Sequence, residues 1–136
     1  MEILAFIKPK HEVIYVKDNT TIKDALIKME EHRYTAIPII DTEGKYFGTL
    51  TEGDLLWEIK RTAHFDMQKA EKVLVKDIHR HRDYSAIKSK AEMVELIAKA
   101  AEENFVPVVD ENDHFMGIIT RKTLLNYFFE HNFIVL

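Results

Sequence analysis

Cysteine is absent from this chain, and with it go disulfides, thiolate nucleophiles and cysteine-based zinc sites. A basic excess is absent too: 23 acidic against 19 basic side chains leave a formal charge of −4 and no electrostatic footprint for nucleic acid. No apolar run approaches the roughly 18 residues that a membrane-spanning helix needs. The start, Met1-Glu2-Ile3-Leu4-Ala5, lacks the basic region and small-residue cleavage site of a signal peptide. Together these absences predict a cytoplasmic protein with neither membrane nor nucleic acid as a partner. Glycine and proline are scarce, four and three residues, which makes their placement informative.

What is present is one pattern used twice. Pro38, Asp41, Gly48 and Thr51 return at identical spacing, 69 positions later, as Pro107, Asp110, Gly117 and Thr120. A repeat of this kind sets the fold question before any residue-level reading. At 136 residues the chain holds one compact domain or two small halves, and a half of about 65 residues would be marginal alone. The spacing assigns residues 1–62 to a first repeat, 63–72 to a linker with no clean period, and 73–136 to a second repeat.

Within the first repeat, Glu12 to Val16 reads as a β-branched and aromatic strand. Thr20 or Thr21 caps a helix with Ile22, Ala25, Leu26 and Met29 on one face. Thr35 to Ile40 is a strand whose Pro38 places it on an edge or at its own beginning, since proline cannot donate to a ladder. Asp41-Thr42-Glu43-Gly44 has hairpin turn chemistry, a strand over Lys45 to Leu50 runs back, and Thr51 opens a helix whose apolar stripe is Leu55, Leu56 and Ile59 with Trp57 at its border. The second repeat predicts a weak strand near Ala86-Ile87, a helix over 90–103, and a hairpin from Val106-Val109 to Phe115-Ile119. Its turn, Asp110 to Asp113, replaces glycine with residues that tolerate the left-handed region. A last helix spans 121–130. The tail, Asn132 to Leu136, is apolar enough to pack back on the protein or meet another subunit.

The pattern apolar-Pro-apolar-apolar-Asp, turn, Gly-apolar-apolar-Thr-x-x-Asp resembles the cystathionine-β-synthase (CBS) domain, and two copies resemble the tandem pair called a Bateman module. The resemblance implies an α+β fold of two β-α-β-β-α repeats related by a pseudo-twofold axis, and a homodimer. It also implies an adenine nucleotide as regulatory ligand: AMP, ADP, ATP, cyclic di-AMP or S-adenosylmethionine. Tyr34-Thr35-Ala36-Ile37-Pro38 with the distal Thr120-Arg121-Lys122 is similar to stand-alone bacterial modules that bind cyclic di-AMP. The second copy departs from the pattern at Thr123, which stands where the first has Asp54, and its passage from helix to strand is one or two residues short.

Taken on their own chemistry, Thr51 and Asp54 form a capping box. The same helix N-terminus suits a phosphate, and in the family the acidic residue accepts both ribose hydroxyls, which a carboxylate can do with its two acceptor oxygens. The resemblance assigns the purine to Val13, Ile14, Tyr34, Thr35, Ala36 and Pro38, each also readable as ordinary core; Tyr34, in a loop before a strand, is placed to stack on a base. Arg121 and Lys122 open the last helix, where cations oppose the dipole, and either face an anion or form a solvated pair. His79-Arg80-His81-Arg82 reads as a solvated basic turn and not as a metal site. No nucleophile-base constellation is present in the sequence pattern, so no catalytic residue, enzyme activity or required cofactor is assigned. The reading is a regulatory module signalling through an unidentified effector protein; the rival is a scaffold that dimerises or docks without ligand.

Overall fold

The structure, a computed structural model, describes residues 2–80 and 84–131. The predicted basic turn at His81-Arg82 and the apolar tail at Asn132 to Leu136 lie outside the described residues. The elements are β1 (Lys8–Pro9), β2 (Val16–Lys17), α1 (Ile22–His32), β3 (Ala36–Ile40), β4 (Tyr46–Thr51), α2 (Glu52–Arg61), α3 (Met67–Ala70), β5 (Ile87–Lys88), α4 (Met93–Glu102), β6 (Phe105–Val109), β7 (Phe115–Thr120) and α5 (Arg121–Glu130). Each repeat follows the β-α-β-β-α order: β2-α1-β3-β4-α2, then β5-α4-β6-β7-α5. The fold is α+β.

The chain forms two compact units, and these do not follow the repeats. One comprises Met1–Val13 with Tyr84–Leu136, the other Ile14–Asp83. The second unit has a three-stranded sheet, β2-β3-β4, and the first a four-stranded one, β1-β7-β6-β5. In the Ile14–Asp83 unit, Ile22, Ala25 and Met29 of α1 pack with Ile37, Ile39, Leu50 and Leu55, and the core is closed by Ala70, Val75 and Ile78 from beyond the first repeat. The segment read as a linker is thus part of this core: one turn of helix, capped by Asp66 accepting from the Lys69 N–H, is too short to show a period. In the other unit, Leu96 and Ala100 pack with Val106, Val108, Ile119 and Leu124, and Ile3 joins from the chain's start.

Two sequence expectations are corrected together. The strand read over 12–16 shrinks to Val16–Lys17, and Pro38 sits in the central strand of its sheet and not at an edge or at a strand's first residue. The Thr35 carbonyl accepts from the Glu52 N–H (3.0 Å), so by antiparallel alternation residues 35, 37 and 39 bond to the β4 side and the Pro38 nitrogen turns the other way. There β2 begins pairing only at Val16, opposite Ile39. The ladder stops where the donor is missing, and the Tyr15 carbonyl accepts from Lys28 Nζ (3.2 Å). The second repeat does the same, with β5 pairing from Ile87 opposite Val108, one residue past Pro107.

The hairpin turns follow their chemistry. Asp41 Oδ1 accepts from the N–H groups of Glu43 and Lys45, both at 2.9 Å, and Gly44 takes the left-handed conformation with φ 87°. In the second copy Asp113 takes that role at φ 66°, and Asp110 Oδ1 accepts from Asn112 and His114. Partial burial alone would push the Asp110 carboxyl up, but these two N–H bonds hold it below its ordinary value. Helix stripes differ more from expectation. Leu55 is buried, but Leu56, Trp57 and Ile59 are exposed, as is Ile97 in α4.

Candidate functional site

The first repeat positions its polar residues at the junction of β4 and α2. Thr51, extended at φ −112°, ends the strand and caps the helix. Its Oγ1 accepts from the Asp54 N–H at 3.1 Å, and Asp54 Oδ2 accepts from the Thr51 N–H at 3.0 Å. The capping box read from the sequence is therefore formed. It holds a carboxylate that is only 1% exposed beside the first N–H groups of α2, where the positive end of the helix dipole favours negative charge.

Strand pairing sorts the neighbours. Ile37, Ile39 and Leu50 face the unit's core, so Ala36, Pro38 and the Thr49 and Thr51 opposite them share the other face of the sheet. Pro38 is buried and Ala36 half-buried on that face. Thr49, fully buried, lies with its Oγ1 2.7 Å from the Tyr46 hydroxyl. This hydroxyl pair was not anticipated. The signal for it is Thr49 itself, which interrupts the apolar pair that the second copy keeps as Ile118-Ile119.

Tyr34 and Thr35 occupy the loop between α1 and β3, entered through Arg33 in the left-handed conformation at φ 58°. The Tyr34 ring stacks on His32 at 5.3 Å between centroids. Thr35 is exposed. The structure thus brings Ile14, Tyr34, Thr35, Ala36, Pro38, Thr51 and Asp54 into the Ile14–Asp83 unit. Val13, Arg121 and Lys122 belong to the other unit. Val13 is buried, with its N–H donating to the Lys10 carbonyl.

Arg121 carries a structural explanation for its place at a helix N-terminus. Its guanidinium turns away from α5 and donates to the Ala100 carbonyl (2.6 Å), the Ala101 carbonyl (3.3 Å) and Asn104 Oδ1 (3.5 Å). It serves the negative C-terminal end of α4, where a cation is favourable. Lys122 is exposed. Arg80, in the basic stretch, lies over the Phe47 ring at 4.7 Å, a cation–π contact in place of simple solvation. Among the described residues, no group of three or more His, Asp or Glu side chains is placed to hold a metal ion, and no helix is long and apolar enough to cross a membrane.

The second copy differs at each of these points. Thr120 caps α5 by accepting from the Thr123 N–H (3.1 Å), and the two threonine hydroxyls bond to each other (2.8 Å); Thr123 is exposed and carries no charge. The buried pair Ala25 and Met29 corresponds to Leu96 and Ala100, 71 positions on, whereas the strands repeat at 69. The loop before β6 is therefore two residues shorter measured from the helix core. The Arg121 N–H donates to the Asn104 carbonyl as Glu52 does to Thr35, so Asn104 matches Thr35 and Glu103 matches Tyr34. No aromatic stands there.

Comparison with known proteins agrees with this architecture. The family model for the CBS domain matches residues 4–61 and again 75–130. A homoserine O-acetyltransferase of Methanocorpusculum labreanum is 25% identical over 109 residues, covering 80% of this chain and 21% of that protein; the chain spans about a fifth of the length of the curated relatives matched first. The crystal structure of CbpB in complex with c-di-AMP superposes with a TM-score of 0.86 at 20% identity, over 98% of this chain and 89% of that one. CBSX2 in complex with AMP gives 0.71 at 22% identity, over 96% and 98%. At these identities the likeness is one of fold.

Proposed function

Since the chain belongs to the CBS domain family, with both repeats matched, we propose that it is a regulatory module that binds an adenine nucleotide at the first repeat and passes the bound state to a partner protein. The observation that carries this reading is the buried carboxylate of Asp54, held by the Thr51 cap beside the N-terminus of α2. An acceptor-only group with two oxygens suits a pair of ribose hydroxyls, and the adjoining helix N–H groups suit a phosphate. Tyr34, Thr35, Ala36 and Pro38 supply a face for the base, with Ile14 from the same unit; Val13, Arg121 and Lys122 are assigned on family resemblance. CbpB and CBSX2 are solved with c-di-AMP and AMP, which supports the adenine class and ranks cyclic di-AMP and AMP first among the ligands.

The module binds and does not turn over its ligand; binding shifts the population of conformations that a partner reads. The second repeat, with Thr123 for Asp54 and no aromatic at the place of Tyr34, is the weaker site. A thermal-shift panel of adenine and guanine nucleotides tests the reading, because a ligand at 100 times its dissociation constant adds about 2.7 kcal/mol to stability. An adenine nucleotide is expected to raise the midpoint, Asp54→Ala to abolish the rise, and Thr123→Ala to leave it. Asp54→Asn, which keeps an oxygen for the cap, separates lost binding from lost stability. Equal losses at Asp54 and Thr123 refute the asymmetry, and no shift with any nucleotide leaves the ligand-free scaffold.

A further inference from the structure

The two repeats end their first helices differently. In the first, α1 closes on a Schellman turn: the Arg33 N–H donates to the Glu30 carbonyl (3.2 Å) and the Tyr34 N–H to the Met29 carbonyl (2.9 Å). Arg33 is left-handed, at φ 58° and ψ 37°. Glycine is the usual residue at such a place, and a side chain in that conformation is uncommon. In the second repeat, α4 passes directly into extended backbone at Glu103, with φ −127° and ψ 150°. The residues by which the first loop is longer go into this turn.

The turn makes a contact that a continuing helix cannot. Residues two apart on a helix do not face each other, yet His32 and Tyr34 stack, with ring centroids 5.3 Å apart and planes 19° from parallel. His32 is exposed and Tyr34 half-buried. Among the described residues this is the only ring contact that Tyr34 makes. The imidazole therefore covers one face of the tyrosine ring, and no ring covers the other. Tyr34 and Thr35 also line one groove with Glu52 and Leu55, so the ring stands beside the turn of α2 that carries Asp54.

We propose that His32 is a positioning residue: it holds the Tyr34 ring so that a nucleotide base completes a three-layer stack of imidazole, tyrosine ring and base. This role rests on the nucleotide reading above and adds a residue to it. His32 itself touches no ligand. A tyrosine free to rotate in a loop must be ordered when a base arrives, and a side chain held in advance avoids that loss. Stacking between aromatic faces adds attraction beyond the area buried. The second repeat has neither part of the device, since Glu103 stands at the place of Tyr34 and the left-handed turn is missing.

The test is calorimetric titration with AMP and with cyclic di-AMP. It compares the parent chain with His32→Ala, His32→Phe, Tyr34→Ala and the His32→Ala/Tyr34→Ala double variant, each with its melt recorded without ligand. His32→Ala is expected to weaken binding about three- to tenfold, the scale of ordering one side chain. His32→Phe, which keeps a flat ring, is expected to restore affinity to within about twofold of the parent. The double variant is expected to bind no more weakly than Tyr34→Ala, because His32 acts only through Tyr34. Neither the rescue nor this non-additivity follows from a role in closing α1 alone. Unchanged affinity in His32→Ala overturns the proposal and leaves the nucleotide reading standing. So does a failure of phenylalanine to rescue, or a further loss in the double variant, which would put His32 on the ligand itself. A parent that binds neither nucleotide overturns the nucleotide reading and this role with it.

Discussion

At Gly117 a single missing side chain decides whether a strand can be added. Its φ of 152° is one that side-chain-bearing residues avoid, and a Cβ built there would meet the Lys8 carbonyl oxygen at 2.1 Å and the Pro9 Cα at 3.0 Å. Both are backbone atoms of β1, which have no rotamer to retreat into. Gly117→Ala is expected to cost about 1 to 3 kcal/mol, the range for forced overpacking, read as a lower urea midpoint; an unchanged midpoint would mean that β1 contributes nothing. The threonine caps allow a second separation. Thr51 and Thr120 each accept from the N–H three residues on at 3.1 Å, so either change to Ala is expected to cost about 1 kcal/mol of stability. Only Thr51→Ala should also diminish the nucleotide-induced shift, because only that cap holds a carboxylate. If both changes reduce the shift alike, the second repeat binds too. Asp54 and Thr51 were legible in the sequence because their contacts are local, three residues apart. Arg121 was not, because the carbonyls it serves lie about twenty positions earlier and meet it only through packing.

Among the elements, the long helices and both hairpins were read to within a few residues, and the strand read over 12–16 was not, for one physical reason. A helix satisfies its hydrogen bonds within itself, so the cap at Thr21 and the stripe Ile22, Ala25, Met29 suffice to locate α1. A strand depends on its partner. Glu12 to Val16 has strand composition, yet only Val16–Lys17 pairs, because the facing residue Pro38 has no N–H to offer. Central placement of a proline is tolerated when the neighbour is cut short on the side that the nitrogen faces, and both repeats use this device. The outward sides of α2 and α4 were misjudged for a related reason: Leu56, Trp57, Ile59 and Ile97 continue an apolar stripe in sequence, and in the structure that stripe is wider than the surface each unit covers. Periodicity reveals amphipathicity; it does not say which molecule supplies the other side. At the site, Tyr34 was legible as an aromatic in a loop, but the Tyr46–Thr49 hydroxyl contact was not: the two stand three apart on β4, where simple alternation would put them on opposite faces, and they meet beside the register shift at Ile39–Ile40.

For the whole molecule, the repeats and the packing units are different partitions of the chain. Self-similarity identified the repeats, because the offset of 69 is written in residue types. It says nothing of which segment completes which core. Residues 1–13 belong to the unit that carries the second repeat's hairpin, and residues 63–83 to the unit that carries the first's. The N-terminal arm brings Ile3, 1% exposed, and β1, paired at Lys8 with Ile118 and at Pro9 with Gly117. Removing residues 2–9 withdraws one core isoleucine, about 1.5 to 3 kcal/mol of burial, and uncovers the edge of β7. The loss should fall unevenly. In hydrogen exchange on the shortened chain, the amides of Phe105–Val109 and Phe115–Thr120 are expected to lose protection first, whereas Ala36–Ile40 and Tyr46–Thr51, whose core is closed by Val75 and Ile78, should keep more of theirs. Local opening of this kind follows cooperative units and not sequence order. Greater loss in the first repeat's hairpin, the one nearer in sequence to the deletion, would mean that stability follows the repeats after all, and equal loss in both would mean that the two units unfold as one.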